Sequence, residues 1–193
     1  MIDVVLDRPD ITTITPNVIQ AYGIKLLGVD IENVLTDYGD TTVRPEAIKS
    51  LDELRTASDG LTMVLITNHS NQRTPERPLG FVCEVSVQLS DMPYMYPGEG
   101  YKKKNKPDMF AAVAKTAKIE PKRAAMIDDQ YKTVLGLRAA GWGTFFWTRP
   151  FGKHQHPRVK AFRVVESALI RPAMLAKRSM SQWKETIQGD YEV

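Results

Sequence analysis

Short apolar runs alternate with amphipathic stretches along this chain, and two of the runs end in acids. In a chain of 193 residues these features predict one three-layer α/β domain with about five parallel strands. Strand–helix alternation implies crossovers of the right-handed kind, and hence a parallel sheet whose functional rim lies at the carboxyl ends of its strands. The composition, 42% apolar and 25% charged, is that of an ordinary globular protein with a full core.

The elements follow in order. Residues 1–15 read as extended or irregular. Pro16 opens a short helix through Tyr22, with Thr15 as its cap and Gly23 as its stop. Residues 25–30 form the first strand, and 31–44 a loop or small hairpin turning at Gly39-Asp40. Pro45 starts a helix to about residue 57, with Ala47, Ile48, Leu51 and Leu54 on one face. Residues 61–66 are a second strand, 71–80 a loop, and 81–87 a third strand. Residues 88–106, with Pro93, Pro97, Gly98 and Gly100, read as a long loop, too short to hold a large cap domain. A helix spans about 107–117, a fourth strand 124–127, a helix about 130–140 ended by Gly141, and a fifth strand 144–147.

Polar residues at three strand ends converge on one rim. The first strand ends in Asp30, with Glu32 two residues on; the second in Thr67-Asn68; the fourth in Asp128-Asp129. Paired acids leaving a strand are tolerable when a cation lies between them, or when one is an anion and the other a proton donor. Oxygen ligands from two strand ends suit a hard cation such as Mg²⁺. A hydroxyl and an amide can donate to anionic oxygens, and Lys106, at a helix start, adds positive charge where the helix dipole also favours an anion. Cation, anion donors and a carboxylate nucleophile together describe phosphoryl transfer through an aspartyl-phosphate.

The order Asp30-Ile31-Glu32-Asn33-Val34-Leu35, Thr67-Asn68-His69, Lys106-Pro107 and Asp128-Asp129-Gln130-Tyr131-Lys132-Thr133-Val134-Leu135-Gly136-Leu137-Arg138 resembles the four motifs of the haloacid dehalogenase superfamily. Within it, the wording is similar to the YqeG-like branch, which is itself similar to phosphatidylglycerophosphate phosphatases. The likeness covers about residues 15–150 and implies a Rossmann-like phosphatase domain over 1–150. It also implies roles. Asp30 attacks phosphorus; Glu32 is the general acid/base and offers its backbone carbonyl to Mg²⁺. Thr67 and Asn68 hold the phosphoryl group, Lys106 neutralises it, and Asp129, with Asp128 adjacent, completes the metal site. The chain departs from the pattern at Glu32 in place of Asp, at Val34 in place of Thr, and at Val134 in place of an acid, a charge that Asp128 is placed to supply. The competing class is a phosphate- and metal-binding relative that acts through a partner. A phosphatase of soluble sugar or nucleotide phosphates is the other enzyme reading.

The remaining features bear on setting and partners. The single Cys83 excludes an internal disulfide and fits a reducing, cytoplasmic compartment. No apolar run approaches the roughly 18 residues of a membrane span, and the N-terminus lacks the basic start of a signal peptide. Net charge is +3, but residues 149–193 carry nine Lys/Arg against four Asp/Glu. Residues 151–193 are therefore expected to be a basic helical extension. It packs on the domain through Val159, Phe162, Val165 and Leu169, or its last part lies on anionic lipid at the inner membrane face. The expected partner is a phosphorylated small molecule or lipid head group, with no nucleic acid. Lys102, Lys103 and Lys104 read as a solvated run that could steer an anion. His154 and His156 read as an exposed loop, and Tyr94, Tyr96 and Tyr101 as either a substrate rim or loop packing.

Overall fold

A computed structural model describes residues 4–149, apart from 70, 77, 98–102 and 105, together with residue 168. Contacts divide the chain into two units, Met1–His154 and Gln155–Val193. The expected C-terminal helices, Tyr101, Lys102, His154 and His156 lie outside the described residues.

The described unit is a six-stranded sheet in the order β1-β6-β5-β2-β3-β4, and every pairing is parallel. The strands are β1 (Val4–Arg8), β2 (Leu26–Val29), β3 (Thr62–Ile66), β4 (Tyr94–Met95), β5 (Ala124–Asp128) and β6 (Thr144–Thr148). The helices are α1 (Pro16–Ala21), α2 (Pro45–Ala57), α3 (Phe81–Gln88), α4 (Pro107–Ala117) and α5 (Thr133–Ala140). Strands β2 and β5 are buried along their whole length, as expected of a parallel sheet covered on both faces. Among the described residues no large cap domain is inserted, in agreement with the sequence expectation.

Register places the rim. Val29 is level with Ile127 on one side and Leu65 on the other, so Asp30 leaves β2 beside Asp128 and next to the end of β3. After β2 the chain first builds β3 and β4 on one side, then crosses to β5 on the other. The crevice between β2 and β5 is therefore the topological switch point, where open α/β sheets bind ligands. Gly28 lets the layers close on the central strand. A Cβ there would meet Ile66 Cδ1 and Met126 Sδ at 2.8 Å.

Two expectations are corrected. Residues 81–87 are helix α3, not a strand. The apolar run Phe81-Val82-Cys83 was ambiguous, but the buried residues are Phe81, Val82, Val85 and Ser86, which is helical spacing. The start of α3 is satisfied from a distance: Asn71 Oδ1 accepts the backbone N–H groups of Val82 (2.9 Å) and Cys83 (3.1 Å). Conversely, residues 4–8, expected as extended or irregular chain, and residues 94–95, expected within a long loop, are edge strands. Each is defined by the strand beside it, β6 and β3 respectively.

Candidate active site

Asp30 follows β2 directly and is 3% exposed. Its Oδ1 accepts the N–H of Ile31 at 2.9 Å and lies 2.7 Å from Lys104 Nζ. The same ammonium donates to Asp128 Oδ2 at 2.7 Å. Asp128 is fully engaged: Oδ2 also accepts from Thr133 Oγ1 at 2.8 Å, and Oδ1 accepts the N–H of Gln130 at 2.6 Å. Asp129 is buried beside it, with its backbone carbonyl accepting from Trp147 Nε1 at 3.2 Å. Carboxylate oxygens of Asp30, Asp128 and Asp129 lie within 4.8 Å of one another.

Burial pushes the Asp30 carboxyl well above its usual range. Lys104 pulls it back, and the neighbouring charges of Asp128 and Asp129 push it up further. Burial alone would depress the Lys104 ammonium, but Asp128 and Asp30 outweigh it and hold the lysine more firmly protonated than a free one. Three buried carboxylates thus lie within 4.8 Å of one another, and the Lys104 ammonium bonds two of them, Asp30 and Asp128. A divalent cation with oxygen preference fits such a cluster of carboxylate oxygens. Asp30 and Asp129 fit it as ligands, because the oxygens of Asp128 already serve Lys104, Thr133 and the Gln130 amide.

The structure departs from the sequence reading most at the lysine. Lys106 is exposed at the start of α4, whereas Lys104 is 2% exposed and touches both Asp30 and Asp128. Lys104 is thus no member of a solvated run. Two contacts seat it. Asn68 Oδ1 accepts the Lys104 N–H at 2.7 Å, and Gly136 on α5 lets the lysine backbone come close. A Cβ at Gly136 would lie 2.2 Å from the Lys104 carbonyl oxygen and 2.9 Å from that of Lys106. The signal for Lys104 in the sequence was indirect: a buried acid at position 128 demands a cation, and Lys104 is two residues from the lysine that the motif named.

Among the other expected site residues, Thr67 is buried just past β3, and its Oγ1 accepts the N–H of His69 at 3.1 Å. The His69 ring stacks on Phe81 at a centroid separation of 3.9 Å. Glu32 is half-buried, and its Oε1 accepts the N–H of Gly39 at 3.0 Å, across the loop that follows β2. Val34 and Val134, where the motif pattern has polar residues, are both buried, Val34 within the hydrophobic core.

A parallel α/β domain with an acid cluster at its switch point places a candidate cation and ligand site at the sheet's rim. Residues 9–141 match the family model of haloacid dehalogenase-like hydrolases, and the chain belongs to that family. No curated protein sequence matches it. An uncharacterized protein from Listeria monocytogenes serotype 4b is similar in fold, with TM-score 0.51 and 12% identity over 69% of this chain and 85% of that one. Two further structures are weaker matches. One is the cobalt-bound deoxy-D-mannose-octulosonate 8-phosphate phosphatase of Haemophilus influenzae, with TM-score 0.46 and 15% identity over 65% of this chain and 69% of that one. The other is a family enzyme of Bacteroides thetaiotaomicron in complex with magnesium and inorganic phosphate, with TM-score 0.43 and 16% identity over 70% of this chain and 98% of that one.

Proposed function

We propose that this hydrolase is a Mg²⁺-dependent phosphate monoesterase that works through a phosphorylated Asp30. The observation that carries the reading is the buried cluster of Asp30, Asp128 and Asp129, with Lys104 bonded to Asp30 and Asp128, which sets a carboxylate nucleophile beside a cation and oxygen ligands for a metal. Bound Mg²⁺ would supply charge neutralisation at the phosphoryl oxygens and at Asp30. Asp30 attacks phosphorus as the ester oxygen leaves with a proton from Glu32. Glu32 then takes a proton from the water that attacks the aspartyl-phosphate, which returns Asp30 and releases phosphate. Thr67 and Asn68, past the end of β3, would hold the transferring group.

We assign the positive charge beside that group to Lys104 in place of Lys106, and we assign to Asp128 the task of holding Lys104, leaving Asp30, Asp129 and the Glu32 carbonyl as the metal set. The motif resemblance favours a lipid phosphate such as phosphatidylglycerophosphate, which a rim without a large cap would admit. Among the described residues no helix is long and apolar enough to cross a membrane. Hydrolysis of p-nitrophenyl phosphate with and without Mg²⁺, beside an Asp30→Asn control, tests the reaction. A panel of phosphatidylglycerophosphate, sugar phosphates and nucleotides tests the substrate class. Turnover that persists in Asp30→Asn would sink the mechanism. Absence of turnover together with Mg²⁺ binding would favour a binding protein, a reading that the burial of Val34 and Val134 supports.

A further inference from the structure

We propose that Gln88, at the end of α3, is a positioning residue for Glu32 and acts through the loop of residues 33–44. The inference rests on the acid/base role of Glu32 given above. Asp30 is fixed by buried bonds, but Glu32 is not. Its carboxylate reaches the N–H of Gly39, seven residues further on, and so its direction depends on where the loop holds Gly39.

The loop is closed at its root by local bonds. Asn33 N donates to Thr36 O at 2.8 Å, Arg44 N to Leu35 O at 3.1 Å, and Arg44 Nη2 to Asp37 Oδ1 at 2.5 Å. The turn that carries Gly39 is shaped by Asp40 N to Asp37 O at 3.2 Å, with Gly39 itself at φ 75°. These bonds are internal to the loop, whose Val34, Leu35 and Val43 are buried in the core. Gln88 adds a polar tie from α3: its Oε1 accepts the Val43 N–H at 3.0 Å, and its Nε2 donates to Thr41 O at 2.8 Å. A second donation, to Glu84 O at 3.0 Å, orients the amide on its own helix. One side chain thus bonds both polarities of the returning arm of the loop, 45 and 47 residues away in sequence. Gln88 touches no reacting group, and its effect on catalysis passes through Gly39 to Glu32.

Gln88 is exposed, so Gln88→Ala should fold. Two measurements on the full chain with Mg²⁺ test the inference. In steady-state hydrolysis of p-nitrophenyl phosphate, Gln88→Ala should lower kcat about ten- to a hundredfold with little change in KM, the scale of a misplaced catalytic group. In a Glu32→Gln background the same change should cost less than about twofold, because the group being positioned is already disabled. Amide hydrogen exchange supplies a readout that needs no activity. The Gly39 N–H should be protected in the wild type and lose protection in both Gln88→Ala and Glu32→Ala. Equal losses of kcat in the two backgrounds, or Gly39 protection unaffected by Gln88→Ala, would overturn the inference. A wild type that hydrolyses no ester counts against the phosphatase reading alone, and the exchange comparison then decides this one.

Discussion

The ammonium of Lys104 sits 2.7 Å from Asp128 and 2.7 Å from Asp30. This chain has the buried Val134 where the resembling motif pattern has an acid, and Asp128 supplies the carboxylate beside Lys104.

Lys104 and Lys106 are separated by this account. Lys104→Ala should reduce hydrolysis by about 10²–10³-fold, the usual scale for removing one preorganised electrostatic donor. It should also destabilise the protein by about 3–5 kcal/mol, because two buried carboxylates lose their cation. Lys106→Ala, at an exposed position, should change the rate less than about threefold, and stability within about 0.5 kcal/mol. Kinetics and urea melts of the two variants check this, and the reverse order would return the role to Lys106.

Gly136→Ala should behave against helix propensity. Ala in a helix interior is favoured over Gly by about 1 kcal/mol. Here the added Cβ would lie 2.2 Å from the Lys104 carbonyl oxygen, so the lysine segment must shift. The expected outcome is a loss of about 1–3 kcal/mol from overpacking, together with a fall in kcat as Lys104 leaves Asp30. A variant that is more stable and fully active would show that the approach of α5 to Lys104 is not what seats the lysine.

The raised Asp30 has a consequence for stability without metal. The unfolded carboxyl releases its proton near pH 3.9, while the folded one keeps it to higher pH. Between those two points the native state binds more protons than the unfolded chain, so stability falls as pH rises through that window, at up to about 1.4 kcal/mol per pH unit. In EDTA, the stability of wild type relative to Asp30→Asn should therefore decline as pH rises above about 4. Mg²⁺ should restore the wild type and not the variant. Thermal melts at several pH values provide the comparison, and a flat or rising difference would contradict the burial argument.

The central strands and both acid positions could be read from the sequence because their signals are local. Residues 26–29 and 124–127 are short apolar runs, each followed by an acid, and the register then follows from parallel pairing. What escaped was non-local. The start of α3 depends on Asn71, which is bonded to Val82 and Cys83 across 11 and 12 residues, so the apolar run at 81–87 read as a strand. Strand β1 exists through its pairing with β6, far along the chain. The burial of Lys104 depends on Asn68 and Gly136 together, and a lysine-rich stretch carries no periodicity that would mark one member as internal.

Phosphorylation of Asp30 is the most direct test of the central claim. Glu32→Gln keeps the shape and hydrogen bonding of the side chain but cannot carry a transferable proton, so it should lower turnover by about 10²–10⁴-fold and slow breakdown of the intermediate. Acid quenching of this variant during hydrolysis of p-nitrophenyl phosphate with Mg²⁺, followed by peptide mass spectrometry, should find one added phosphoryl group on the peptide containing Asp30. It should find none in the Asp30→Asn, Glu32→Gln double variant. A phosphoryl group on another residue, or hydrolysis at the wild-type rate with none on Asp30, would contradict the account.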